Sequence, residues 1–172
     1  MIDQKMIVNF SPRFEICARI FTMDDIDKKI LAELQRDGRL SLTELAERVR
    51  LSPSPCHRRL RALEKSGVIA GYRARLDATM VGLGFEAVVF VMMKASDRDT
   101  LTDFETAVAS IPQVVQAQRL FGEPDYLLRV VSRDLAAFQD LYDSSLGNLP
   151  GVQRLTSTLV MKSVIEDRPL TL

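Results

Sequence analysis

The stretch that decides the N-terminal fold is residues 40–77, LSLTELAERVRLSPSPCHRRLRALEKSGVIAGYRARLD. It has the pattern of two short helices joined by a tight turn. The first helix is predicted to begin at Ser41, because Glu44 three residues later completes a capping box. The second is predicted to run from an N-cap at Ser52 to a left-handed residue at Gly67. Its two prolines fit the first turn, where backbone N–H groups have no helical partner.

The residues on either side extend this pattern into a winged helix-turn-helix. Upstream, residues 24–35 predict a helix that Asp24 caps. Downstream, Val68 to Leu76 predicts a strand, a turn at Gly71 and a second strand, which together would form the wing. The N-terminal part of the chain is therefore predicted to be a small DNA-binding domain.

The second helix of the quoted stretch has two different sides. At about 100° per residue, Cys56, Leu60 and Leu63 form one apolar stripe that packs on the other helices. The opposite side is polar and basic, which suits the major groove, and an arginine near its N-terminus can donate two hydrogen bonds to guanine. The alternative is a basic helix face that only meets solvent. The residues predicted to contact bases or phosphates are Ser52, Ser54, Pro55, His57, Arg58, Arg59, Arg61, Lys65, Arg73 and Arg75.

The charge of the chain is divided between its two halves. Residues 1–76 hold 15 Lys and Arg against 10 Asp and Glu, whereas residues 77–172 hold 8 against 13. A basic first half and an acidic second half suggest two domains with different partners.

Several classes of protein are disfavoured by the composition and motifs. The two cysteines, Cys17 and Cys56, form no CxxC motif, so neither a disulfide framework nor a metal site is expected. The chain has no P-loop, GxGxxG motif or recognisable catalytic constellation, so we predict that it is not an enzyme and has no cofactor. No apolar run approaches the length of a membrane span and no signal peptide is recognisable, which predicts a cytoplasmic protein without a membrane partner.

Residues 86–165 predict a second domain in the order β-α-β-β-α-β, a ferredoxin-like unit, so the fold class is α+β. The predicted strands are 86–94, 114–121, 126–132 and 152–165. The two helices are predicted to be capped by Asp99 and Asp134.

The first strand of this domain also predicts an assembly. Two helices cover one face of a four-stranded sheet, yet residues 87–93, AVVFVMM, are apolar on both faces. The uncovered face is therefore expected to pack against a second copy. The alternative is that residues 1–22 or the DNA-binding domain cover it.

A turn at residues 121–126, FGEPDY, is the most unusual feature of the second domain. Gly122 permits a close backbone approach, and Asp125 is suited to pair with the ammonium group of an amino acid. Gly, Pro and Asp also form plain β-turns, so the pattern alone favours a turn without a ligand.

Taken together, residues 23–167 resemble the Lrp/AsnC family, the leucine-responsive or feast/famine transcription regulators. The most specific part is LSPSPC at residues 51–56. The other carriers are DDIDKKIL at residues 24–31, then Arg59, Arg61, Leu63, Glu64, Gly67, Val68, Ile69, Gly71 and Tyr72, and later Gly122, DYLL at residues 125–128 and LPGV at residues 149–152.

The resemblance implies a sequence-specific regulator that responds to a small effector, and an RAM-type C-terminal domain that binds the effector and oligomerises. The implied partners are double-stranded DNA, an amino acid, and the chain itself, as a dimer that assembles into an octamer or another higher oligomer. The resemblance also implies a nucleoid-associated location for the protein. The alternative is a metabolite-binding oligomer whose helix-turn-helix serves protein contacts or nonspecific chromatin-like DNA binding. The residues implied at the effector site are Phe121, Gly122, Asp125, Tyr126, Thr156 and Thr158.

The predicted division of the chain is 1–22 as an N-terminal extension, 23–76 as the DNA-binding domain, 77–85 as a linker and 86–172 as the effector domain. Residues 1–22 show no sustained period and are interrupted by Ser11-Pro12. Two hypotheses account for them. Either translation starts at Met23, or these residues are an arm that a partner subunit orders.

Overall fold

A computed structural model describes residues 23–172, so the hypotheses on residues 1–22 lie outside the described part of the chain. The chain divides into two compact units. The N-terminal unit contains residues 23–74 together with Asp167–Leu172, and the C-terminal unit is Arg75–Glu166. Among the described residues, no helix is long and apolar enough to cross a membrane.

In residues 23–74 the N-terminal unit has three helices: α1 is Asp25–Arg36, α2 is Leu42–Arg48 and α3 is Pro53–Lys65. The capping box predicted for α2 is confirmed, since Ser41 and Glu44 each accept the other's backbone N–H. Asp24 caps α1 as predicted and forms a box of its own with Asp27. Local hydrogen bonds of this kind satisfy helix N–H groups that have no intrahelical acceptor.

The apolar faces of the three helices meet in one core. Ile30, Leu45, Cys56 and Leu63 are almost completely buried in it, and Leu60 packs against it from α3. The predicted stripe of α3 is therefore confirmed. Gly67, with φ +79°, has the left-handed conformation expected just beyond the helix.

The hairpin predicted for Val68 to Leu76 is wrong, since this described segment contains no strand. The Ile69 N–H donates to the Leu63 carbonyl at 3.2 Å, so the chain turns back on the end of α3. Only a few residues remain on each side of Gly71, and an isolated pair of such short strands is marginal in water.

The C-terminal unit has four strands: β1 is Phe85–Met93, β2 is Val114–Arg119, β3 is Tyr126–Ser132 and β4 is Val152–Leu159. They form one antiparallel sheet in the order β2-β3-β1-β4. The helices between them are α4, Arg98–Ala109, and α5, Leu135–Ser144, followed by a short 3₁₀ helix at Leu146–Asn148. The predicted β-α-β-β-α-β order is confirmed.

The two faces of the sheet differ in burial. Alternate residues of β1, from Ala87 to Met93, are buried in a core with Phe104 of α4 and Phe138 of α5. The intervening residues, Val88, Phe90 and Met92, are only half-buried on the open face. Both faces of β1 are apolar, as the sequence predicts.

Three predicted boundaries are corrected in this unit. Asp97, not Asp99, is the N-cap of α4, and its carboxylate accepts the Thr100 N–H at 3.0 Å. Asp97 and Asp99 both precede the apolar face of this helix. The sequence therefore does not show which of them is the N-cap and which is the second helical residue. Strand β2 ends at Arg119 rather than Phe121, and β4 ends at Leu159 rather than Ile165.

Candidate functional site

The exposed side of α3 carries most of the residues predicted to contact DNA. Ser52, Ser54, His57, Arg58, Arg61 and Lys65 are all exposed, and Pro55 is half-buried in the first turn. Ser52 holds the N-cap position, but its hydroxyl makes no capping hydrogen bond, in contrast to the usual serine cap. Pro55 holds the third helical position and has no N–H, so the Ser52 hydroxyl lacks its usual donor in the first turn.

The cations on this side differ in how freely they can reach a partner. The Arg58 and Lys65 side chains have no hydrogen bond or ion pair with any described residue. Arg61 makes only long contacts, to His57 Nε2 at 3.4 Å and to Glu64 Oε2 at 3.4 Å, and its side chain is 71% exposed. Such contacts are weak, so Arg61 is available to another acceptor.

Arg59, which is also among the residues predicted to contact DNA, makes contacts within the domain. Its Nη1 lies 2.7 Å from Asp24 Oδ2 and 2.9 Å from Asp27 Oδ1, so α3 is bound to the start of α1. The pKa of Asp24 is lowered, first by the backbone hydrogen bond from Asp27 and then by Arg59. Asp27 is buried, and an unpaired carboxylate would be costly there. Arg59 therefore joins α3 to α1 within the domain, and its predicted contact with DNA stays a prediction.

The two arginines predicted on the wing also separate. Arg73 is exposed and has no side-chain partner among the described residues. Arg75 belongs to the C-terminal unit, where its Nη2 lies 2.8 Å from Glu166 Oε2. That pairing lowers the pKa of Glu166. Of the pair, Arg73 is the one placed in the helical unit.

The turn between β2 and β3 is held at several points. Leu120 N–H donates to the Asp125 carbonyl at 2.7 Å, and Asp125 N–H donates to Val91 O at 3.0 Å. The Asp125 carboxylate accepts the Met93 N–H through Oδ2 at 2.8 Å, so one of its oxygens is already used within the chain. Gly122 has φ +117° and Phe121 is 86% exposed, so the tip of the turn faces solvent.

Tyr126 begins β3 and is 2% exposed. Its hydroxyl donates to Glu105 Oε1 of α4 at 2.7 Å, and its ring packs on Phe104 with the ring centroids 4.6 Å apart. Burial, followed by the bond to Glu105, raises the pKa of Tyr126 well above its usual range. The phenol is therefore a neutral donor at physiological pH.

A groove of about 350 Å³ runs beside Tyr126, between α4 and β2. Its charged members, Glu105 and Arg119, are absent from the effector residues predicted from the sequence. In the sequence, only the positions of these two residues pointed to a site. Glu105 is next to buried Phe104, and Arg119 comes directly before the turn. Their proximity depends on how α4 packs on the sheet.

Thr156 and Thr158 lie elsewhere in the same unit. In the strand register they face Phe90 and Val88, which places both threonines on the open face of the sheet. Strand β4 is at the opposite edge from β2. Within one chain, these two residues are therefore not brought together with the groove beside Tyr126.

Comparison with protein-family models finds two matches that together span most of the described chain. Residues 23–70 match the winged helix-turn-helix DNA-binding domain, and residues 86–170 match the Lrp/AsnC ligand binding domain. These two matches correspond to the helical unit and to the four-stranded unit described above.

Characterised relatives align over nearly their whole length. The leucine-responsive regulatory protein of Rhizobium meliloti is 43% identical over 142 residues, which is 83% of this chain and 91% of that protein. The Bkd operon transcriptional regulator of Pseudomonas aeruginosa is 41% identical over 143 residues, 83% of this chain and 94% of that protein. By name, the first is a regulatory protein and the second a transcriptional regulator.

Solved structures show the same architecture. A transcriptional regulator from Neisseria meningitidis, in complex with L-Met, matches with a TM-score of 0.83 and 40% identity, covering 87% of this chain and 97% of that chain. An AsnC family transcriptional regulator from Agrobacterium tumefaciens matches with a TM-score of 0.81 and 34% identity over the same shares. With a helix-turn-helix whose basic face is exposed and a four-stranded domain of matching fold, this chain belongs to the Lrp/AsnC family of DNA-binding transcriptional regulators.

Proposed function

We propose that this protein recognises a specific double-stranded DNA site through the exposed face of α3 and adjusts its binding in response to an amino acid. The observation that supports DNA binding is the division of α3 into a buried stripe and a basic face. Ser54, His57 and Arg58 lie near its N-terminus, the end that usually reaches base edges. Arg61, Lys65 and Arg73 are better placed for phosphates, which hold the protein in register.

The assembly that we propose is a dimer formed through the open face of the sheet. Val88, Phe90 and Met92 leave an apolar surface there that a second copy would remove from water. A two-fold dimer would present two α3 helices to successive major grooves, about 34 Å apart on one side of the duplex. Further assembly of dimers into octamers or other rings belongs to the same proposal. Covering of this surface by residues 1–22 would instead leave a monomer.

The effector that we propose is an amino acid bound by the C-terminal unit near the turn at Gly122 and Asp125. The match to a ligand binding domain and the L-Met complex of the Neisseria relative support this assignment. Thr156 and Thr158 would take part only from another chain, since they lie on the open face. The amino acid would shift the assembly only through a difference in its affinity for the two forms.

The proposed division of labour follows the predicted boundaries, with DNA binding in residues 23–76 and effector binding with oligomerisation in residues 86–172. A protein with this function works at the chromosome, and we place it in the cytoplasm at the nucleoid. These relatives are regulators and not enzymes, and our proposal requires no catalytic step.

Fluorescence anisotropy tests the proposal directly. The full chain is titrated onto the duplex upstream of its own gene and onto a scrambled duplex at the same salt concentration. We expect tight binding to the native duplex alone, weakened steeply by salt because phosphate contacts release counterions. An amino-acid panel on the same duplex should then shift the binding curve. Equal weak binding to both duplexes would favour a chromatin-like role. Absence of binding at low salt would favour the metabolite-binding alternative.

A further inference from the structure

A mostly apolar groove of about 340 Å³ lies in the helical unit, and residues far apart in the chain line it. Leu31 and Leu34 of α1 form one side, and residues 68–72, which follow α3, form another. Leu170 and Leu172, at the C-terminal end of the chain, complete the lining. All of these residues belong to one compact unit, so the groove is a feature of the helical unit by itself.

The C-terminal residues line this groove but do not close it. Leu170 is still 75% exposed and Leu172 47% exposed, and Val68 and Tyr72 are exposed as well. Single exposed apolar side chains are ordinary, but several around one groove mark a surface that another segment covers. Removing such a surface from water is favourable. Within residues 23–172 the groove has no such cover.

The described part of the chain begins at the groove. Met23, the first described residue, lines it and directly precedes Asp24, the N-cap of α1. Consecutive Cα atoms are about 3.8 Å apart, so the Cα of Phe21 lies within about 8 Å of the Cα of Met23. The residues that come just before Met23 are therefore within reach of the groove by covalent geometry alone.

The composition of residues 1–22 is suited to burial. Twelve of these 22 residues are apolar, and they include three of the eight phenylalanines of the chain. Three cationic and two anionic side chains leave a net charge of only +1. Segments that stay in water combine low hydrophobicity with high net charge, and this segment has neither. The helix-turn-helix match begins at residue 23, so the segment lies outside the part of the chain that matches the family.

We propose that residues 1–22 cover this groove in their own subunit, with the Phe21 ring seated between α1 and residues 68–72 and against Leu172. In an extended chain, side chains two residues apart point to the same side, so Phe21 follows Met23 into the groove. A volume of about 340 Å³ suits one large side chain rather than the whole segment. Both ends of the chain then share one groove and stabilise the helical unit together.

This inference is independent of the proposed function. Among the described residues that line the groove, none is predicted to contact DNA. Covering the groove therefore leaves the basic face of α3 free. The occupant is a segment of the chain itself and not a ligand.

Photocrosslinking in the full chain tests where the segment lies. The photoreactive residue p-benzoylphenylalanine replaces Phe21, and the cross-linked peptides are identified by mass spectrometry after irradiation. We expect cross-links to peptides that contain Leu34, Tyr72 or Leu172, and we expect the product to run as a single chain on a denaturing gel. The same photoreactive residue in place of Phe121, which is exposed at the β2–β3 turn, is the control and should not label these peptides.

Thermal unfolding of the full chain tests whether the contact stabilises it. Phe21→Ala and Leu172→Ala should each lower the melting temperature by about 2–4 °C. The double variant should lose less than the sum, because each substitution removes the same contact. Phe10→Ala is the matched control, since Phe10 lies 13 residues before Met23, and it should leave the melting temperature unchanged. DNA affinity measured by anisotropy should be the same in Phe21→Ala and wild type.

Several results would overturn the inference. Cross-links that join two chains would place the segment on a partner subunit, and cross-links to Val88 or Phe90 would place it on the open face of the sheet. Absence of any cross-link to the groove, or additive losses in the double variant, would also overturn it. So would an intact mass showing that the native protein starts at Met23. None of these results bears on DNA recognition, which anisotropy measures separately.

Discussion

The side chain of Gln35 forms a two-point hydrogen-bonded pair with the backbone of Leu170, 135 residues later in the chain. Leu170 N–H donates to Gln35 Oε1 at 2.6 Å, and Gln35 Nε2 donates to the Leu170 carbonyl at 3.2 Å. Leu170 and Leu172 also line an apolar groove with Leu31 and Leu34 of α1. The last residues of the chain are therefore a structural part of the helical unit.

We expect Gln35→Ala to lower the free energy of unfolding of the helical unit by about 1 kcal/mol, because two partly solvated hydrogen bonds are lost. A chain ending at Asp167 should lose at least as much, since it also lacks both leucines of the groove. Thermal and urea unfolding of the full chain measure the change. Gln139→Ala, at an exposed position of α5, serves as the control and should leave stability unchanged. Equal midpoints for Gln35→Ala and wild type would contradict the structural role.

Alanine substitutions of two adjacent arginines of α3 should have different effects. Arg58→Ala should weaken binding to the cognate duplex by about 1–3 kcal/mol and relax its specificity, without altering the melting temperature. Arg59→Ala should instead lower the melting temperature, since it leaves the buried Asp27 carboxylate without its partner. Anisotropy and calorimetry on both variants separate the two effects. Equal losses for Arg58→Ala on cognate and scrambled DNA would make Arg58 a phosphate contact instead.

Two glycines of the C-terminal unit share a left-handed backbone but differ in the space around them. Gly82, with φ +81°, has nothing within 4 Å of an added Cβ, so Gly82→Ala should cost about 1 kcal/mol for the backbone alone. At Gly151, with φ +71°, the added Cβ would overlap Thr100 Cγ2 and lie 3.0 Å from Met93 Cε. Gly151→Ala should therefore cost about 3 kcal/mol or more, through overpacking. Chemical denaturation measures the loss of stability in both variants. Equal losses would show that α4 moves away freely from the added Cβ at Gly151.

Acid should weaken the helical unit through Asp24. The native pKa of this carboxyl is below its ordinary value of 3.8, because of the Asp27 backbone hydrogen bond first and then Arg59. The unfolded chain consequently binds the proton more readily, so the stabilisation is present above 3.8 and is lost as the pH falls through the lower native pKa.

Asp24→Asn isolates this charge, because asparagine still caps a helix. The variant should be less stable than the wild type at about pH 7, and the difference should shrink below the ordinary carboxyl pKa of about 3.9. Thermal melts across the acid range, with Asp25→Asn as the neighbouring control, provide the measurement. A difference that stays constant with pH would exclude the Asp24 charge as its cause.

Much of the fold could be predicted because it depends on residues close together in sequence. The caps at Asp24, Ser41 and Asp134 bond to N–H groups two or three residues later, so their patterns are visible in the chain. The buried stripe of α3 follows from helical periodicity, and the two apolar faces of β1 follow from strand alternation. Asp97 shows the limit of this information, since a second acid two residues later has an equivalent local pattern.

The site depends on pairs that the sequence does not bring together. Arg59 and Arg58 are adjacent and chemically identical, and only the packing of α3 on α1 places one beside Asp27 and leaves the other exposed. Tyr126 and Glu105 are joined by the packing of α4 on β3.

The sequence by itself therefore determined the order of the helices and strands, the buried faces and the family, because hydrophobic period and capping are local properties. Tertiary structure alone decided which charges are paired, which groove holds Glu105 and Arg119, and that the C-terminal residues return to α1. Those outcomes depend on distances between residues far apart in the chain, which no local pattern encodes.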